Sequence, residues 1–239
     1  MISQGGDSLD VMEFVGIDLG WKASPPAEKA TAICVMDSKG MVNKIELVTE
    51  NDEILSFLER DSAWAGIDAP LIVNNQEGLR GCERSLFDRG IRVLPANRTF
   101  MGRKFGSCMG VDLANRLFEM GYSFPGERED KVIYEVYPYG ALQILTGGEM
   151  PRYKKGQADE RRKGAMRLLE IVRDWLPVSI PSWLDEEIDS ATPGELKSVM
   201  DKVDSVICVL CVYCHWLYSG KRTEILGDQE YGFVLLPRR

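Results

Sequence analysis

The strongest constraint on the fold is a buried strand that ends on a carboxylate, in the stretch FVGIDLGW at residues 14–21. Four apolar or small residues lead directly into Asp18, and Gly20 follows two positions later. Burying a carboxylate costs free energy unless a partner compensates its charge. The stretch therefore predicts a strand inside a sheet, with a special reason for the acid at its end.

The order of the predicted elements defines the fold class. Three strands form an antiparallel meander, and a helix and then single strands between further helices follow it. The predicted strands cover residues 13–20, 29–37, 41–49, 64–70 and 131–137, with a last one at 233–236. This order predicts one α/β domain with a mixed sheet over residues 13–237, after a loose leader at residues 1–12.

Composition limits the class of protein. Of the 239 residues, 44% are hydrophobic, and no apolar run reaches the roughly 18 residues of a membrane span. The first residues lack the basic and apolar regions of a secretory signal, and the six cysteines do not have the spacing of a disulfide framework. We therefore expect a cytoplasmic protein. Its net charge of −8 disfavours bulk nucleic-acid binding but allows a local basic face.

Four acids form a candidate metal site. Asp18, Asp68 and Glu135 lie in the C-terminal parts of three predicted strands, and Asp204 lies on the inner face of a predicted helix at 196–218. Alone, each acid is also explained as a cap or a surface group. No lysine or arginine occupies a matching position in these strands, so converging acids would repel and raise one another's pKa. A divalent cation relieves this repulsion, and oxygen ligands suit Mg²⁺ or Mn²⁺.

Basic residues near these acids are candidate phosphate contacts. They lie in the segment RYKKGQADERRK at 152–163, in a predicted loop RTFMGRKFG at 98–106, and at the start of a predicted helix at 79–89. The candidates are Arg80, Arg98, Arg103, Lys154 and Lys155. Such groups position a nucleic-acid backbone beside a reactive centre. The alternatives are a solvated charged surface and, for Arg80, pairing with Glu83 or Asp88.

The cysteines and the histidine predict packing rather than chemistry. Cys208, Cys211 and Cys214 have C-x2-C-x2-C spacing, but the apolar residues between them indicate a packed helix rather than an iron–sulfur loop. His215 is the only histidine, so a two-histidine metal site is excluded and we expect it to pack at a helix end.

Six segments in this order resemble the domain-of-unknown-function family 429, which is placed in the ribonuclease H-like superfamily and described as predicted nucleases. The segments are FVGIDLGW, GIDAP, RGCERSLFDRG, YEVYP, YKKG and KVDSVICVL. The resemblance implies a five-stranded sheet in the order 3-2-1-4-5, with the acids gathered at one end. It also implies metal-ligand roles for Asp18, Asp68, Glu135 and Asp204. The stretch GIDLG further resembles the first strand of the Holliday-junction resolvases.

Together, these features predict a metal-dependent nuclease or phosphodiesterase with Asp18, Asp68, Glu135 and Asp204 as catalytic residues. Two Mg²⁺ or Mn²⁺ ions about 4 Å apart would bind the attacking and leaving oxygens of the phosphodiester. We expect nucleic acid as the substrate and no membrane partner, and the oligomeric state stays open, a homodimer included.

Two alternatives belong to other functional classes. GIDLG also resembles the first phosphate loop of the actin-like ATPases and sugar kinases. However, GIDAP lacks the glycines of their second phosphate loop, and 239 residues is short for their duplicated fold. The second alternative is a non-catalytic binding module of the same fold.

Overall fold

A mixed five-stranded sheet organises the part of the chain that the computed structural model describes, residues 12–20 and 30–238. Its order is β3-β2-β1-β4-β5, which confirms the order that the family resemblance implied. A separate hairpin contains β6 and β7. The strands are β1 (Glu13–Asp18), β2 (Thr31–Asp37), β3 (Val42–Val48), β4 (Ala63–Ile67), β5 (Lys131–Glu135), β6 (Thr223–Asp228) and β7 (Gly232–Pro237). Nearly all of the expected leader, residues 1–11, lies outside the described residues.

The pairing of the strands brings their acidic ends together. β1 pairs antiparallel with β2, and β2 with β3, which is the predicted meander. β1, β4 and β5 run parallel to one another, so their carboxyl ends meet at the same edge of the sheet. Asp18 ends β1, Asp68 follows β4 directly, and Glu135 ends β5.

Helices cover both faces of the sheet. They are α1 (Asn51–Ser56), α2 (Gly81–Asp88), α3 (Arg98–Phe105), α4 (Met109–Glu119), α5 (Pro138–Leu145), α6 (Ala158–Trp175), α7 (Ser182–Ser190) and α8 (Leu196–Leu217). α8 packs across one face together with α5, α6, α7 and β7, and α1 and α4 cover the opposite face. The described residues therefore form three layers around two hydrophobic cores.

Two glycines allow α8 to lie unusually close to the sheet. Gly16 of β1 and Gly66 of β4 are paired in register, and each precedes an aspartate by two residues. A Cβ atom on Gly16 would overlap the carbonyl oxygen of Ser205, and one on Gly66 would lie 2.6 Å from the carbonyl oxygen of Cys208. Side chains two residues apart share a face of a strand, so the same close approach places α8 beside Asp18 and Asp68.

The residues of α8 follow the sequence-based expectation. Cys208, Cys211 and Cys214 are all buried free thiols on this helix, which confirms a packing position for them. His215 lies half-buried near the end of the helix, where its Nδ1 atom is 2.6 Å from Oγ1 of Thr223. None of the helices in the described ranges combines the length and hydropathy that a membrane crossing requires.

The structure corrects the expectation for residues 98–106. We predicted a basic loop there because glycines interrupt the segment, but residues 98–105 form α3. Asn97 caps the helix by accepting a hydrogen bond from the backbone N–H of Phe100, and Gly106 ends it in a left-handed conformation with φ of 87°. Gly102 lies inside the helix, where local capping outweighs its low helix propensity. The helices α5 and α7 and the strand β6 were also not predicted.

Replacing Gly66 with alanine should destabilise the protein, because the added methyl group meets the backbone of α8. We expect a loss of about 1–3 kcal/mol in the free energy of unfolding, as for other overpacked cores. Urea denaturation checks the value. Gly102→Ala is the matched control, since its Cβ meets no atom within 4 Å and should be neutral or stabilising. Equal stability of the Gly66→Ala variant and the wild type would contradict the close approach.

Candidate metal centre

Three aspartates from different elements converge at the carboxyl edge of the parallel strands. One oxygen each from Asp18, Asp68 and Asp204 can be chosen so that all three lie within 4.8 Å of one another. Asp18 and Asp68 are half-buried, whereas Asp204 on α8 is completely buried. Asp204 lies one turn before Cys208, on the stretch of α8 that packs on the two glycines.

The carboxylates differ in their partners. Asp204 accepts a hydrogen bond at Oδ1 from the hydroxyl of Tyr153, 3.0 Å away, and its Oδ2 atom forms an ion pair with the ammonium of Lys154. Within residues 12–20 and 30–238, no hydrogen-bond donor reaches the carboxylate of Asp18 or Asp68. Two carboxylates thus face each other with oxygen atoms available for a ligand.

Burial and neighbouring charges shift the pKa values in this aspartate trio and in Lys154. Burial, followed by the charges of Asp204 and Asp68, raises the pKa of Asp18 well above its ordinary value. Burial also raises the pKa of Asp68 from 3.8 to about 7, although Lys154 opposes the shift. For Lys154, burial lowers the pKa, but the carboxylates of Asp204, Asp18 and Asp68 outweigh it and hold the amine as an ammonium ion.

Glu135 does not join this trio. It pairs in register with Ile67, so its side chain follows Ile67 to the sheet face opposite α8, whereas Asp68 one position later points toward α8. Its carboxylate binds Arg80 through both oxygens, at 2.8 and 2.5 Å, and also accepts the backbone N–H of Leu71. Glu135 is thus not among the carboxylates that converge within 4.8 Å, although it lines the same cavity and its charge helps to raise the pKa of Asp68. Its role as a fourth metal ligand stays a prediction.

Arg80 likewise has a different environment from the predicted phosphate contact. Its side chain is 3% exposed and uses four of its five N–H donors, two on Glu135, one on Glu83 and one on the carbonyl of Ile72. The pairing with Glu83 was the alternative that the sequence left open. Glu83 also accepts the backbone N–H of Ala96, so this network joins α2 to two loops and leaves Arg80 little capacity for a substrate.

A cavity of about 350 Å³ opens beside the trio. Asp18, Asp68 and Lys154 line it, and its apolar lining includes Leu86 and Leu94. Asp204 is not part of the lining, so it lies behind the two half-buried aspartates. The cavity gives a ligand access to the carboxylates of Asp18 and Asp68.

The other basic candidates lie on the surface. Arg98 and Arg103 are exposed on α3, where Arg98 donates to the carbonyl of Val73 at 3.2 Å, and Lys155 is exposed beside Lys154. α3 borders a smaller cavity that shares Leu19 and Pro70 with the main one, which places its basic residues near the acidic edge.

The donor set fits a hard divalent cation. Three carboxylates within 4.8 Å, two of them without a donor in the described ranges, match the oxygen ligands that Mg²⁺ and Mn²⁺ prefer. Sequence reasoning found these three aspartates but missed the partners of Asp204. Tyr153 begins the segment YKKG, but the resemblance implied no role for it, and Lys154 was expected to contact phosphate rather than a carboxylate.

Asp68→Asn should stabilise the cation-free protein at alkaline pH. The folded state holds the Asp68 proton up to a pH of about 7, while the unfolded chain releases it near its ordinary pKa of 3.8. Wild-type stability in chelator should therefore fall as the pH rises from about 4 through 7. Asp68→Asn removes this loss, so its melting temperature should exceed that of the wild type at pH 8 and approach it near pH 5. Exposed Asp61→Asn is the control, and a lower melting temperature for Asp68→Asn at pH 8 would contradict a strained trio.

Glu135→Gln should show whether Glu135 stabilises the fold or binds the cation. Removing one partner of a buried ion pair costs about 3–5 kcal/mol in unfolding free energy, so this variant should melt far below the wild type but bind Mn²⁺ with unchanged affinity. The surface pair of Arg89 with Glu224 provides the control, since Glu224→Gln should cost about 0–1 kcal/mol. Denaturation and calorimetric titration give the two quantities. A Glu135→Gln protein of normal stability that no longer binds Mn²⁺ would restore the predicted role.

Comparison with known proteins supports a family assignment. The model of the family described as protein of unknown function (DUF429) matches residues 16–230. That range includes all three converging aspartates as well as Arg80, Glu135 and Lys154. No curated protein and no solved structure matches the chain. The match spans most of the 239 residues, and the chain therefore belongs to the DUF429 family.

Proposed function

We propose that this protein is a divalent-cation-dependent phosphodiesterase of ribonuclease H-like fold that acts on nucleic acid. The convergence of Asp18, Asp68 and Asp204 beside an open cavity is the observation that carries the proposal. The acids come from two parallel strands and one helix. Lys154 and Tyr153 bind Asp204, but within the described residues no capping or ion-pairing partner accounts for the carboxylates of Asp18 and Asp68. The sheet order and the parallel strand ends support the fold assignment.

Each residue of the trio has a distinct role in this proposal. Asp18 and Asp68 line the cavity and would hold Mg²⁺ or Mn²⁺. Asp204 supports them from behind, with its orientation fixed by the hydroxyl of Tyr153. The bound cation would supply electrostatic stabilisation of the phosphoryl group and acidify the attacking water. With the cation present, the carboxylates stay ionised, because its charge favours their deprotonated forms.

The surroundings of the trio favour an extended anionic substrate. The cavity combines apolar side chains such as Leu86 and Leu94 with the ammonium of Lys154. The apolar side chains would contact a sugar or a base, and the ammonium would contact a phosphate. The exposed cations of α3, including Arg103 and Lys104, lie on the neighbouring helix. They would contact phosphates on either side of the reacting one, which is how proteins commonly position a nucleic-acid backbone.

The loop after Asp68 speaks against the ATPase alternative. A phosphate loop presents backbone N–H groups to its ligand. Here the N–H of Leu71 donates instead to Glu135, and Pro70 has no N–H to present. We therefore place phosphodiester hydrolysis ahead of phosphoryl transfer from ATP.

The experiment is a cleavage assay on single-stranded and duplex DNA, RNA and bis(p-nitrophenyl) phosphate, with Mn²⁺, Mg²⁺ or chelator. We expect cation-dependent hydrolysis that falls at least about a hundredfold in Asp18→Asn, as when other electrostatic stabilisers of a transition state are removed. Asp189→Asn on the exposed face of α7 is the control and should retain full activity. ATP serves as a competing substrate.

Three results would count against the proposal. Activity that persists in chelator would remove the cation from the reaction. Equal activity of Asp18→Asn and the wild type would remove the trio from it. Hydrolysis of ATP alone, lost in Asp18→Asn, would favour the phosphotransferase class.

A further inference from the structure

We infer that the centre takes one divalent cation, and that the ammonium of Lys154 permanently occupies the place of a second. The inference rests on the proposed function only in that the trio must bind a cation. It replaces the expectation of two ions with a site in which one cation is supplied by the chain itself.

The position of the ammonium is the first argument. Lys154 forms an ion pair with Oδ2 of Asp204, a residue with no exposed surface. Oδ1 of the same carboxylate already accepts the hydroxyl of Tyr153. Both oxygens of Asp204 thus have a partner, and the available oxygens belong to Asp18 and Asp68. The Lys154 side chain is 43% exposed and lines the cavity, so the ammonium lies between the buried acid and the ligand space.

Contacts on both sides of Lys154 hold the backbone of its loop, and the ion pair with Asp204 directs the ammonium into the site. A Cβ atom on Gly164 of α6 would overlap the carbonyl oxygen of Arg152, which shows that the loop packs directly on this helix. Nε of Arg161 donates to the carbonyl of Tyr153 at 3.3 Å. Gly156, with φ of 110°, turns the chain into α6 just after Lys154. These contacts hold the residue on both sides.

The charge balance is the second argument. Three carboxylates and one ammonium leave two negative charges, which one divalent ion neutralises. A second divalent ion would leave the same group with two positive charges. Among the described residues that line the cavity, Lys197 and Asp201 neutralise each other in an ion pair, and Arg80 is matched by Glu83 and Glu135 with one negative charge remaining. The remaining negative charge belongs to Glu83 and Glu135, whose carboxylate oxygens all accept hydrogen bonds already, so among the described residues this network offers no open oxygen to a second divalent ion.

The ammonium can take over part of what a second ion would do. It points toward the cavity from a fixed backbone, so it is placed to contact an anionic oxygen of a ligand held by the metal ion. It differs from a metal ion because it cannot acidify a bound water. Lys154 is thus a positioning and charge-balancing residue for a one-ion centre.

Counting bound Mn²⁺ tests the inference. Equilibrium dialysis with metal analysis gives the number of ions per chain, and electron paramagnetic resonance distinguishes isolated Mn²⁺ from a spin-coupled pair. We expect one isolated ion in the wild type and a coupled pair in Lys154→Met, which keeps an unbranched side chain one atom shorter and removes its charge. Lys155→Met, the exposed neighbour, is the matched control and should bind one ion.

Two bound ions in the wild type would overturn the inference, as would a single ion in a folded Lys154→Met protein or no binding at all. If Lys154→Met fails to fold, the number of Mn²⁺ ions bound by the wild type decides the question on its own. Lys154→Arg, which retains the charge, should then still bind one ion. The result is separable from the proposed function. One bound ion without hydrolysis would defeat only the function, and two bound ions with hydrolysis would defeat only the inference.

Discussion

The contact of α8 with two glycines is the constraint on which the site depends. Gly16 and Gly66 lie side by side on β1 and β4, and the carbonyls of Ser205 and Cys208 occupy the space where their side chains would be. The helix thereby reaches the sheet closely enough for Asp204 to meet the strand-end aspartates. Without that approach, the chain would have two acids at a sheet edge and a third on a distant helix, which does not make a binding site.

Two clusters of charged residues lie at this edge of the sheet, and they differ in how completely their charges are balanced. Arg80 satisfies Glu83 and Glu135 almost completely, so that cluster stabilises loops and α2. Within the described residues, the aspartate trio forms one ion pair, with the ammonium of Lys154, and one hydrogen bond, from the hydroxyl of Tyr153, and it keeps an excess of negative charge. A buried cluster that the described residues leave uncompensated is costly for a fold. This difference is why we propose a binding role for the aspartate trio and a structural role for the cluster around Arg80.

Much of the fold and part of the site could be predicted from the sequence. The strands ending on Asp18 and Asp68 follow from local patterns, and parallel strands bring their ends together. The sequence did not separate Glu135 from the three aspartates, because a shift of one residue in strand register reverses the face of a side chain, and the sequence does not reveal register. Partners such as Arg80 with Glu135, and Lys154 with Asp204, are separated by about fifty residues and follow no local pattern.

α8 both packs on the sheet and carries Asp204, and this has a consequence for the motions of the protein. Active sites are often built on loops that open locally while the rest of the molecule stays folded. Asp204, however, lies on the helix that forms much of the larger core, and the strands carrying Asp18 and Asp68 are the central strands of the sheet. The part of the site formed by α8 and the central strands cannot open unless the core unfolds. The backbone amide protons of these elements should therefore exchange only through global unfolding. Only residues at the rim of the cavity could then move to fit different ligands.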